Sequence, residues 1–185
     1  MIEDVRKDAS SRMGKSVLAL TKTLIGVRTG RAHAGLLENI KAKYYGADVP
    51  LNQVANLSVE DSRTLTVTPW EQQMVAVIEK AIRNSDLGLN PVTAGNVIRV
   101  PLPDLTEERR KDLVRLVKQE GEQSRVAVRN IRRDALGDLK ELLNEKLITE
   151  DDEHRAHHII QELTDKNIAA IDKILEEKHQ EIMEF

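Results

Sequence analysis

Apolar residues recur every three or four positions along three long stretches of the chain, and alternate in short runs between the first stretch and the second. From Ile2 to about Val27 the apolar positions are Ile2, Val5, Ala9, Met13, Val17, Leu20, Leu24 and Val27. That spacing places one covered stripe on a helix. Gly30, free to take the left-handed conformation, is its expected stop. The second stretch runs from about Thr106 to Lys146. Thr106 is the expected N-cap, and Glu107 and Glu108 face the positive end of the helix dipole. At roughly 40 residues this helix would be on the order of 60 Å long. The third stretch starts at Thr149, where Asp152 three residues on resembles a capping box and Glu150 and Asp151 reinforce it. Its apolar positions include Ala156, Ile160, Leu163, Ile171 and Ile174.

Between the first two helices the pattern is short and mixed. Asn39–Tyr45 alternates, with Ile40, Ala42 and Tyr44 on one side, and Arg63–Thr68 alternates around Leu65 and Val67. Both read as strands with one covered face. Glu60-Asp61-Ser62 is the expected hairpin loop. Glu71–Ser85 returns to helical period through Met74, Val77, Ile78, Ala81 and Ile82, and Asp86-Leu87-Gly88 with Pro91 ends it. Gly95-Asn96 marks a turn between Val92–Thr93 and Val97–Val100. Trp70, Tyr44 and Tyr45 are expected in the core or at the edge of this region. Pro101-Leu102-Pro103-Asp104 forms a stiff, extended exit, because proline locks φ and cannot donate to a ladder.

No one of the three helices can bury its stripe alone. The predicted fold is therefore α+β in two domains. Residues 1–30 and 105–185 form an elongated three-helix bundle, and 31–104 form an inserted small β/α/β domain joined through two linkers.

Composition narrows the function classes. The 185 residues are 40% hydrophobic and 32% charged, which suits a folded, water-facing chain. Aromatic residues are only 2%, so the core is aliphatic, and the absence of cysteine excludes disulfides and thiol chemistry. The N-terminus lacks an apolar leader core, and no apolar run reaches bilayer length. The expectation is a soluble, cytoplasmic protein without membrane contact.

The net charge of −3 conceals an asymmetry. Arg109–Arg133 holds nine basic residues against three acids, whereas from Thr149 to the end there are eleven acids and four lysines or arginines. On a wheel of about 100° per residue centred on Ile131, the residues Leu113, Leu116, Val117, Glu120, Ser124, Ala127, Ala135 and Leu142 fall within about 60°. Lys111, Arg115, Lys118, Arg125, Arg129, Arg132, Arg133 and Lys140 fall between about 100° and 200°, interrupted only by Glu122. A solvated face normally mixes signs, and arginine forks match phosphate oxygens. A line of guanidinium groups without neighbouring aromatics suits an RNA backbone read by shape, and does not suit stacking on single strands. The bland alternative is a polar bundle exterior. A helical adaptor or chaperone-like protein that binds acidic proteins is the rival function.

Little else carries chemistry. His154, His157 and His158 could share a face, but exposed polar residues on an acidic helix explain them better than a metal does. Arg28-Thr29-Gly30-Arg31 is no phosphate loop; it reads as a helix stop and hinge with two further arginines. No local grouping suggests an enzyme, a cofactor or a metal.

The segments VRTGRA (Val27–Ala32), VEDSRTL (Val59–Leu65), EKAIRNSDLGLNP (Glu79–Pro91), IRVPLPDLTEERRKDL (Ile98–Leu113) and RVAVRNIRRDA (Arg125–Ala135) closely resemble the bacterial ribosome recycling factors, in order and along the full chain. The resemblance implies a three-helix bundle and an inserted domain set like an L, comparable in outline to tRNA, in a monomer. It implies a non-enzymatic translation factor that works with elongation factor G and GTP hydrolysis to split post-termination ribosomes into subunits. The implied partners are the ribosome, its large-subunit RNA and elongation factor G. Carried onto this chain, the motifs give Arg132 foremost, then Arg129 and Arg133, as RNA contacts beside Arg125 and Lys118 of the stripe. They add Arg28 and Arg31 as further contacts, and Gly30, Pro101 and Pro103 as hinge residues.

Overall fold

A computed structural model describes residues 1–27 and 29–184 of the chain. The chain divides into two compact units, one built from 1–27 and 107–184 and the other from 29–106.

The first unit is a bundle of three helices, α1 (Ile2–Ile25), α4 (Glu107–Asn144) and α5 (Glu150–Glu184), each packed on the other two. The buried side chains of α1 are Ala9, Met13, Leu20 and Leu24, within the stripe read from sequence. The helix nevertheless ends sooner than expected. Gly26 closes it in a right-handed conformation, with φ −70°, and the Val27 amide donates to the Leu24 carbonyl at 3.1 Å. Ile25, its last residue, is 75% exposed. Gly30, at φ +83°, turns the chain inside the second unit and is not the stop.

The start of α5 is as the sequence predicts. The Thr149 amide donates to the Asp152 carboxylate and the Asp152 amide donates to the Thr149 hydroxyl, both at 3.1 Å. Its buried positions are Ala156, Ile160, Thr164, Ile171 and Ile182. The Thr164 hydroxyl is satisfied by the Ile160 carbonyl of its own helix at 2.8 Å.

The second unit opens with a single helical turn, α2 (Gly35–Glu38), and a hairpin of β1 (Lys41–Tyr44) with β2 (Ala47–Pro50). A four-stranded antiparallel sheet follows, from β3 (Ala55–Asp61), β4 (Thr64–Pro69), β5 (Val92–Ala94) and β6 (Val97–Pro101), in the order β3-β4-β6-β5. One helix, α3 (Val75–Arg83), covers it with Ile78 and Ile82. Leu65, Val67, Ile98 and Val100 face the helix from the central strands, and Leu37 and Leu51 complete an aliphatic core. The β3–β4 turn is tighter than expected. β3 runs through Asp61, so only Ser62 and Arg63 turn, and the Asp61 carboxylate accepts the Arg63 amide at 2.8 Å. That bond holds the Asp61 carboxyl below its ordinary range.

The aromatics sit at the rim. Trp70 is 65% and Tyr45 79% exposed, so neither belongs to the core. Tyr44 donates to the Glu71 carboxylate at 2.5 Å, which pushes its phenol up to about 12.

Candidate nucleic-acid interface

The buried residues of α4 are Leu113, Val117, Gly121, Ser124, Val128, Ile131, Ala135 and Leu139. They step by three or four, as a packed stripe must, but the stripe is rotated by about 40° from an axis through Ile131. Leu116, expected inside, is 39% exposed, while Gly121 is buried. The rotation follows from two neighbours. α1 and α5 both pack on α4, and α5 presses so close that the Leu175 side chain occupies the space a Cβ on Gly121 would need.

This rotation brings the basic sector against the α4–α5 seam. Arg125 and Arg132 lie at the seam and are partly covered, while Lys118, Arg133 and Lys140 stand exposed on the outer side. The Arg125 guanidinium donates to Asp172 of α5 through Nη2 at 2.6 Å and Nε at 3.0 Å, both to one carboxylate oxygen. The hydrogen bond from Asp172 raises the Arg125 pKa further. Arg132 reaches the Gln161 side-chain oxygen at 3.4 Å, a neutral and weak partner. Glu122, the one acid inside the sector, is held by Arg129 at 3.0 Å and by Arg125 at 3.3 Å. The hydrogen bond from Arg129, then that from Arg125, keeps its carboxyl below the ordinary range.

The stripe is therefore more heavily paired than the wheel suggests. Lys111 meets Glu107 at 2.8 Å and Arg115 meets Asp112 at 3.6 Å. Asp112 reaches across from a neighbouring sector and Asp172 from α5, which a wheel of Cα directions does not register. Among the described residues, Lys118, Arg132, Arg133 and Lys140 make no ion pair. The charges of these four groups are not neutralised by any described carboxylate. Beside Lys118 and Arg125 the seam opens into a groove of about 480 Å³, floored by Val114, Val117, Leu175 and Ile182.

The other expected residues are distributed differently. Arg31 is exposed and belongs to the second unit. Arg28 lies outside the described residues. Pro101 is the last residue of β6, in register with Thr64, and Pro103 stands in the extended segment after it. His154, His157 and His158 are exposed on the first turns of α5, and His158 lies 3.2 Å from Glu162. Among the described residues no three metal-capable side chains gather, and no helix is long and apolar enough to cross a membrane. Sequence reasoning missed Asp172 and Gln161, which lie far from the stripe in the chain. The only available signal was the acid-rich character of the third helix.

The described residues thus define a two-unit α+β protein, a three-helix bundle with a basic sector on α4 and a small antiparallel sheet domain inserted between its first and second helices. Comparison with known proteins makes the class specific. The family model of the ribosome recycling factor matches residues 20–183. Ribosome-recycling factors of Nitrosococcus oceani and Halorhodospira halophila are each 60% identical over 184 residues, covering 100% of this chain and 98% and 100% of the relatives. The factor of Legionella pneumophila (strain Paris) is 57% identical over the whole of both chains. Among solved structures, a solution structure of a ribosome recycling factor matches with TM-score 0.67 and 46% identity, covering 100% of this chain and 98% of that one. A second match has TM-score 0.60 and 50% identity over 98% of each chain. It is a set of models of the T. thermophilus ribosome recycling factor and the E. coli elongation factor G bound to the E. coli post-termination complex. The chain belongs to the ribosome recycling factor family.

Proposed function

We propose that this chain, with elongation factor G and GTP hydrolysis, splits post-termination ribosomes into subunits for reuse, and that its bundle grips large-subunit ribosomal RNA through α4. The observation that carries the reading is the cationic run of Lys118, Arg133 and Lys140, exposed, with Arg132, half-buried beside them, left without acidic partners among the described residues in a chain of net charge −3. The solved relative placed with elongation factor G on a post-termination complex supports the choice of partners. Arg132 is the central contact. Arg129 and Arg125 join it once a phosphate replaces Glu122, and Lys118 and Arg133 extend it, with Arg28 and Arg31 as further contacts. The units are 1–30 with 105–185 and 31–104, and the linkers at Gly30 and at Pro101 and Pro103 are the hinge.

Mechanically, the factor offers binding and displacement rather than bond chemistry. A GTPase supplies the work, and an RNA-anchored bundle with a second unit on two linkers converts it into separation of the subunits. Two linkers restrict twisting more than one does. The test is light scattering of post-termination ribosomes mixed with the chain, elongation factor G and GTP. The expected result is loss of scattering as 70S particles part, only when all three are present. Unchanged scattering with all three contradicts the reading. A helical adaptor for acidic proteins would leave the ribosomes intact.

A further inference from the structure

Both segments that lead out of the second unit are fastened to one hairpin turn. The Ala32 amide donates to the Ser62 carbonyl at 2.8 Å, and the Leu102 amide donates to the Arg63 carbonyl at 2.8 Å. Ser62 and Arg63 are the two turn residues between β3 and β4. Consecutive carbonyls of one turn thus hold the segment after Gly30 on one side and the segment after Pro101 on the other. The Arg63 guanidinium adds an ion pair to Asp104, further along the second segment. The turn is set from below by the Asp61 carboxylate on the Arg63 amide. The two segments also touch each other, since Leu105 Cγ lies 3.2 Å from where a Cβ on Gly30 would stand.

We propose that the Ser62–Arg63 turn is a clasp that positions both linkers, with Arg63 as the positioning residue, so that within the hinge assigned to Gly30, Pro101 and Pro103 the bending concentrates at its bundle side, next to Gly30 and Leu105. The proposal deepens the functional reading above and rests on it. A push on the second unit reaches both linkers only if they are attached to it. Two unclasped linkers would straighten separately and dissipate the displacement. The clasp combines two backbone bonds, which define its geometry, with one exposed ion pair, which can be broken without touching the sheet.

That last feature gives the test. Arg63→Ala keeps the backbone carbonyl that Leu102 uses, so the sheet survives. An exposed pair contributes little, so amide hydrogen exchange at Ala32 and Leu102 should quicken by about twofold to fivefold. Subunit splitting with elongation factor G and GTP should slow by a similar factor, while affinity for the large subunit stays within about twofold. The charge-exchanged double variant, Arg63→Asp with Asp104→Arg, should restore both exchange and splitting. If Arg63 instead touched RNA, the single variant would lose subunit affinity and the exchange of charges would not rescue it; that result overturns the proposal. Unchanged splitting by Arg63→Ala, with wild type splitting normally, overturns it as well while leaving the functional reading intact. A wild-type chain that fails to split ribosomes overturns the functional reading and the clasp with it.

Discussion

Arg132 sits half-buried at the boundary between the covered and exposed faces of α4, and among the described residues its guanidinium makes one long contact, to Gln161. A group so placed is oriented without being neutralised, which is the arrangement a phosphate contact needs. Arg132→Ala should leave the melting temperature nearly unchanged and weaken large-subunit binding by about 1–3 kcal/mol, measured by co-sedimentation. Arg125 is the contrasting case, since Asp172 occupies two of its donors at 2.6 and 3.0 Å. The periodicity of α4 made the stripe legible, but not this division of labour. Asp172 lies 47 positions away on another helix, and the reach of Glu122 depends on rotamers.

At the level of elements, sequence pattern located the covered stripe of α1 and the start of α5 but not the rotation of the α4 stripe. The stripe of α1 and the capping box of α5 follow directly from spacing. The rotation of α4 does not, because it is set by Gly121, a residue without hydrophobic signal whose place is filled by Leu175. Gly121→Leu should destabilise the chain by about 1–3 kcal/mol through overpacking against α5, read from denaturant midpoints. The hairpin strand β2 was likewise illegible, because its burial does not alternate: Ala47 and Asp48 are exposed, and Val49 and Pro50 are both half-buried.

The cap of α5 has its own pH signature. The Thr149 hydroxyl and backbone amide hold the Asp152 carboxyl below its ordinary value. A depressed carboxyl contributes stability that is present above its unfolded pKa and is lost as pH falls through the folded one. Thr149→Ala should therefore lower stability by about 1 kcal/mol near neutral pH, with the difference from wild type shrinking in acid below about pH 4. Thermal melts at neutral and acid pH check both the loss and its direction.

For the whole molecule, the split into a bundle and an inserted unit was visible because hydrophobic period switches from helical to alternating and back. The exact ends of the elements were not, since α1 ends at Ile25 with Gly26 as its cap, about one turn before the glycine that the spacing suggested. Gly30 matters for a different reason. Its φ of +83° is out of reach for proline, whose ring holds φ near about −65°. Gly30→Pro should retain large-subunit affinity and slow splitting by elongation factor G and GTP. Equal splitting rates for variant and wild type would contradict the assigned role of that linker.

The central claim is that the exposed basic run on α4 binds the phosphate backbone of large-subunit RNA. Its most direct test is the affinity for isolated large subunits as a function of salt, for wild type and for the variant with Arg129, Arg132 and Arg133 all replaced by alanine. Each lost phosphate contact removes a little under one unit from the slope of log affinity against log salt, so the triple variant should bind more weakly with a slope shallower by about two to three units. Equal affinities and parallel salt dependences for the two proteins would contradict the account.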